Sequence, residues 1–220
     1  MGDLLDEVMA NLTPTWTQFL VIDLIAATTN AFNAALLARR PSHNRNYTIV
    51  GILLLAICGG IAGGVLRDVL LNVVPSALVN PWYIFTSGLA AALAVYLDQT
   101  TSQRVREGMF RFMAAFSLPW FAVVGADKAL EFGLPPMTAV AIGVLGATAG
   151  RFLVDIVSGV TPKHFVRSEW FVGTALVSAG VYIPLWYSGL PIWSAALISV
   201  GVGFTLRILA LHFDWGEPEP

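Results

Sequence analysis

Two segments of this chain bring glycines and ionised side chains together inside otherwise apolar sequence. Gly59-Gly60-Ile61-Ala62-Gly63-Gly64-Val65-Leu66-Arg67-Asp68 leads to Pro75, and Gly146-Ala147-Thr148-Ala149-Gly150-Arg151-Phe152-Leu153-Val154-Asp155 leads to Pro162. One and the same shift carries Gly59 onto Gly146, Gly63 onto Gly150, Asp68 onto Asp155 and Pro75 onto Pro162. An ionised residue in the middle of a bilayer costs about 2.5–3.5 kcal/mol on insertion scales. A glycine inside a helix costs about 0.5–1 kcal/mol relative to alanine. Residues of these types are suited to handling ions rather than making bonds. Carbonyls freed at a glycine bend can coordinate a cation in place of water, carboxylates attract it, and Arg or Lys balance the carboxylates. Duplicated, interrupted apolar helices point to an ion or substrate path.

Each of these residues has a plainer reading as well. Gly59 with Gly63, Gly60 with Gly64, and Gly146 with Gly150 form GxxxG spacings that let helices pack closely. The sequence favours a bent, path-lining helix, with close packing as a compatible second role. Arg67 and Asp68 are adjacent and diverge by about 100° on a helix, which predicts that each finds its partner elsewhere. Arg151 and Asp155 are spaced to pair along one helix face. Together these groups either staple two helices or line a watered path, and the second is the preferred reading. Lys128, beside Asp127, either snorkels to the surface near Glu131-Phe132-Gly133 or takes part in gating. Asp23 is a weaker candidate, and Arg207 is expected to snorkel or pair. Thr28, Thr29, Asn30 and Asn33 serve equally as interhelical contacts or as path wall.

The elements that position these groups follow from composition. The chain has 220 residues, 56% of them hydrophobic and only 12% charged, with a mean hydropathy of +0.72. Soluble domains carry about 25% charged residues, so nearly all of this chain belongs in lipid. A membrane span needs about 20 mostly apolar residues, and seven are predicted: 17–38, 48–72, 82–98, 110–131, 137–158, 170–188 and 191–212. The fold class is therefore an all-α membrane protein with seven transmembrane helices. Residues 1–16 form an acidic outer cap (Asp3, Asp6, Glu7), 17–98 a first three-helix unit and 99–109 a cytoplasmic linker. Residues 110–188 form a second three-helix unit, 189–212 a seventh helix and 213–220 an acidic tail.

Orientation follows from the loops. Those after spans one, three and five hold Arg39, Arg40, Arg45, Arg104, Arg106, Arg111, Lys163 and Arg167. The N-terminus and the other loops hold no Lys or Arg. The positive-inside rule then predicts the N-terminus outside and the C-terminus in the cytoplasm of an inner membrane. The repeat extends to Asn30-Ala31-Phe32-Asn33-Ala34-Ala35-Leu36, which resembles Gly125-Ala126-Asp127-Lys128-Ala129-Leu130. A three-span unit is odd in number, so its two copies must be inverted about an axis in the membrane plane. The second and fifth spans are then expected to meet near the midplane.

Several function classes are excluded. The net charge of −2 and the absence of a basic run argue against nucleic acid. One cysteine, Cys58, forms no internal disulfide. HExxH, CxxC, GxSxG and the phosphate-binding GxxxxGK[ST] are all missing, so no metal site, enzyme activity or ATP-driven pump is expected. A TVGYG-type filter is missing too. No cofactor is expected beyond bound lipid.

Seven spans, an inverted three-plus-three repeat and Gly63-Gly64-Val65-Leu66-Arg67-Asp68 resemble the trimeric intracellular cation (TRIC) channels and their prokaryotic relatives. The second copy keeps Asp155 but has no Arg directly before it. The resemblance covers nearly the whole chain. It implies a homotrimer with a potassium-permeable pore in each protomer, sodium being a second permeant candidate. Helices two and five would line that pore, and a lysine on helix four, here Lys128, would take part in gating. Bacterial membrane proteins bearing the same signature are linked to transport of small amino acids such as glycine, which makes a secondary transporter the alternative.

Overall fold

The structure is a computed structural model. It describes residues 14–40, 42–43, 46–166 and 170–216. Residues 1–13 of the acidic cap, Arg45, Arg167 and the last residues of the tail lie outside the described residues. Within them the chain forms eight helices: α1 (Pro14–Ala38), α2 (Ile49–Leu70), α3 (Ser76–Val79), α4 (Trp82–Thr100), α5 (Gln103–Glu131), α6 (Pro136–Val157), α7 (Phe171–Tyr187) and α8 (Ile192–His212). Five are long and apolar enough to cross a membrane: the Leu20–Ala38 part of α1, then α2, α5, α6 and α8. Helix α7 is apolar but has only 17 residues, and α4 has 19 with Asp98 and Gln99 in its last turn.

Local chemistry sets the boundaries. Thr48 caps α2 by accepting the Gly51 N–H at 3.1 Å. Gly133 (φ 72°) closes α5 and Gly189 (φ 75°) closes α7, and prolines open the next helices at Pro136 and Pro191. Only Thr101 and Ser102 separate α4 from α5, because Arg106 reaches back from the first turn of α5. It donates to the Asp98 carbonyl at 2.6 Å and to Asp98 Oδ1 at 2.8 Å.

Helix α5 is the centre of the bundle. It packs on α1, α6, α7 and α8, and its residues from Phe121 to Leu130 are all buried. Helix α2 packs on α1, α4 and α6. The helices are not interrupted at the glycines: α2 and α6 each run as 22 continuous residues through them. The glycines instead bring the two backbones into contact. A Cβ at Gly63 would overlap the Gly146 carbonyl oxygen, and a Cβ at Gly150 would overlap the Gly59 carbonyl oxygen. The reciprocity of these contacts matches the shift read in the sequence.

The ends of α2 and α6 are also alike. Asn72 (φ 58°) and Gly159 (φ 67°) adopt the left-handed conformation. The next amide donates back, Val73 to the Asp68 carbonyl at 3.0 Å and Val160 to the Asp155 carbonyl at 2.9 Å. Each is the six-to-one closure of a Schellman turn.

Candidate functional site

Two buried charge clusters flank the glycine crossing. The first gathers side chains from five helices. The Arg67 guanidinium meets Asp23 of α1 in a fork, Nη1 to Oδ1 and Nη2 to Oδ2, both at 3.0 Å. Its Nε donates to Asp68 Oδ1 at 2.8 Å. Lys128 Nζ comes from α5 to the same Asp68 oxygen at 2.8 Å. The other oxygen of Asp68 accepts from the Ser76 N–H at 2.8 Å and from Ser76 Oγ at 3.1 Å. Tyr83 of α4 donates to Asp23 at 2.9 Å. Arg67 is 2% exposed and Asp68 is 0% exposed. Two carboxylates thus face two cations in a space closed to solvent, and such a cluster survives burial because its donors and acceptors are matched.

The second cluster forms around Asp155. Arg151 Nε donates to Asp155 Oδ1 at 2.7 Å, the spacing expected along one helix face. His43, from the segment after α1, reaches the same oxygen with Nε2 at 3.1 Å and meets Ser42 Oγ through Nδ1 at 3.0 Å. The Lys163 N–H lies 3.3 Å from Asp155 Oδ2, at the position equivalent to Ser76 beside Asp68. Each carboxylate is therefore held by the turn that follows its own helix and by a side chain from the other half of the chain.

Three cavities lie along this axis. The first cluster borders a space of about 10 Å³ lined by Asp23, Gly60, Gly64, Arg67, Tyr83 and Phe121, among others. Past the crossing lies one of about 20 Å³, where Asn30, Asn33, Gly59, Gly150 and Arg151 meet. Beyond it opens a vestibule of about 360 Å³ ringed by Arg39, Arg40, Arg106, Asp98 and Glu107. Each of the two inner cavities has room for about one water molecule. Asn30 Nδ2 donates to the Gly59 carbonyl at 3.1 Å, which occupies a glycine carbonyl at the crossing.

Several expectations need correction. Arg67 and Asp68 do pair. The arginine side chain is long enough to fold around the helix end, so the 100° between Cβ vectors does not separate its Nε from the neighbouring carboxylate. Lys128 does not snorkel: it is buried and turned inward to Asp68. Asp127 does not join it. The same angular offset directs Asp127 to α7, where Tyr182 Oη donates to it at 2.5 Å. Arg207 is buried, its guanidinium 5.6 Å from the Phe171 ring centroid, and does not snorkel either. Gly59, Gly60, Gly63, Gly146 and Gly150 pack helices, the second role expected of them, whereas a Cβ at Gly64 would meet only the Arg67 guanidinium at ordinary contact distance. Asp23, Ser76, Tyr83 and His43 are members of the two clusters that sequence alone does not single out. Asp23 carried the available signal, a lone carboxylate in a long apolar run.

The fold and these clusters define a polytopic helical membrane protein with two glycine-faced helices crossing between buried ion networks. The chain belongs to the glycine transporter family, whose model matches residues 20–99 and again 111–187. A UPF0126 membrane protein of Deinococcus radiodurans is 28% identical over 70% of this chain and 69% of its own length. The inner membrane protein YadS of Escherichia coli K12 is 23% identical over 76% of this chain and 81% of its own. Among solved structures, a TRIC trimeric intracellular cation channel orthologue from Rhodobacter sphaeroides shares the fold. Its TM-score is 0.80 at 28% identity, over 90% of this chain and 99% of that one.

Proposed function

We propose that this protein is a passive monovalent cation channel of a prokaryotic inner membrane, with potassium as its first permeant ion and sodium as its second. In this reading the seven long helices all cross the bilayer as an inverted three-plus-three repeat with α8 added, N-terminus outside. Three copies assemble, each with its own path between α2 and α6. Asp68 and Asp155 attract the ion at the two ends of the crossing. Arg67 and Arg151 balance them, and Lys128 is the movable member. The observation that carries this reading is the reach of Lys128 from α5 across to Asp68 on α2. It sets a buried cation from one half of the chain on a carboxylate of the other, and that carboxylate borders a water-sized space. The solved TRIC orthologue with the same fold supports the class.

Cavity size weighs against the transporter alternative. The spaces of about 20 and 10 Å³ at the crossing hold about one water each, and glycine has five non-hydrogen atoms. Planar-bilayer recording in a potassium gradient provides the test. Wild-type protein should give unitary currents that reverse near the potassium potential. Lys128→Gln, which removes the charge and keeps the reach, should raise open probability several-fold. A silent bilayer alongside glycine counterflow in liposomes would replace the channel by a transporter.

A further inference from the structure

We infer that Phe110 is a second gate, an aromatic plug between the vestibule and the interior at the end of the path remote from Lys128. This inference rests on the reading of the three cavities as one path. Among the described residues Phe110 is the one that lines both the 360 Å³ vestibule and the 20 Å³ cavity behind it, and it is 7% exposed. The ring belongs to the core cluster it shares with Phe32, Leu37 and Val154, yet it stands where an open space narrows to the width of about one water.

Charge holds the ring in position. The Arg40 guanidinium carbon lies 4.1 Å from the ring centroid and that of Arg151 lies 5.8 Å away, both within cation–π range. Each guanidinium is itself anchored, Arg40 by Glu107 and Arg151 by Asp155. Glu107 precedes Phe110 by three residues on α5, so Arg40 grips the ring and its supporting turn together. The ring is thereby tied to the end of α1, to α5 and to α6. A shift of any one of these relative to the others loosens a clamp and lets the ring swing toward the vestibule, which has room for it. The Asp155 network, whose Arg151 lies within cation–π range of the ring, thus controls access without facing the vestibule itself.

Cysteine accessibility tests this without relying on ion flow. Cys58 is the only native cysteine, so a Cys58→Ser background carrying Ala114→Cys places one thiol in the wall of the inner cavity. The silver ion, a thiophilic cation of about potassium's size, is applied to purified protein in chloride-free buffer, and loss of the free thiol is followed. With Phe110 in place the thiol should react slowly. Phe110→Ala should speed the reaction at least tenfold. Arg40→Gln, which keeps the ring and removes one clamp, should speed it by a smaller factor. Thermal stability and elution volume identify misfolding, and Phe110→Leu, which keeps an apolar side chain, should fold and fall between wild type and Phe110→Ala. Equal rates in all four proteins, or fast labelling with Phe110 intact, would overturn the gate. Faster labelling in variants that carry no current would retain the gate and remove the channel reading. Unchanged labelling in a conducting protein would do the reverse.

Discussion

Gly63→Ala should leave little folded protein, while Gly64→Ala one position along should fold as well as wild type or better. The added methyl at 63 would overlap the carbonyl oxygen of Gly146, and that obstacle is helix backbone, which cannot rotate aside. Overpacking a well-filled interior costs about 1–3 kcal/mol, and an immovable neighbour puts this site at or above the upper end. At Gly64 the nearest atom to an added Cβ is Arg67 Nη2 at 3.7 Å, an ordinary contact. There alanine gains up to about 1 kcal/mol of helix propensity. Reciprocity adds a further demand: Gly150→Ala, directed at the Gly59 carbonyl oxygen, should be as damaging as Gly63→Ala. Thermal unfolding in detergent, followed by tryptophan fluorescence, ranks the four proteins. Equal melting temperatures for the 63 and 64 variants would show that the two helices are not in backbone contact.

Asp68→Ala should be the most destabilising single change among the buried charges, at about 3–5 kcal/mol, because it strips a partner from two buried cations at once. Arg67 keeps its fork to Asp23, but Lys128 loses the carboxylate 2.8 Å away. Lys128→Met should cost less, since Asp68 retains Arg67 and both Ser76 donors. The two effects should also fail to add. In a Lys128→Met background, Asp68→Asn should cost about 2 kcal/mol less than in wild type, within the range of contacting pairs in double-mutant cycles. Additive melting shifts would mean that Lys128 and Asp68 do not interact in the folded protein.

The sequence revealed most of the helices and the two ends of the candidate path, and missed what joins them. Apolar run length located the long helices to within a few residues at most ends. It failed at α5, whose first two turns are charged and are held by Arg106 on Asp98 rather than by hydropathy. Arg67, Asp68, Lys128, Arg151 and Asp155 stood out because charge in an apolar run is costly wherever it occurs. Apart from the Arg151–Asp155 pair along one helix face, their partners did not, because partnership is a tertiary fact. His43 lies in a short connecting segment with no periodicity and meets a carboxylate on α6, far along the chain. Phe110 reads in sequence as one more apolar residue. The glycines were legible as a motif but not in their action. Composition alone does not distinguish a helix broken by glycine from one laid flat against another by it. That difference lies in the partner backbone.

The exchange of partners between the two carboxylates bears on why the halves are one polypeptide. Asp68 lies before the α4–α5 turn and takes Lys128 from beyond it, while Asp155 lies beyond the turn and takes His43 from before it. Neither half supplies its own buried acid with all of its partners, so each behaves as an incomplete subunit. Covalent linkage supplies the missing half at a fixed effective concentration, commonly millimolar for a short flexible tether. Two fragments divided between Thr101 and Ser102 should each fail to accumulate when made alone and should recover when made together.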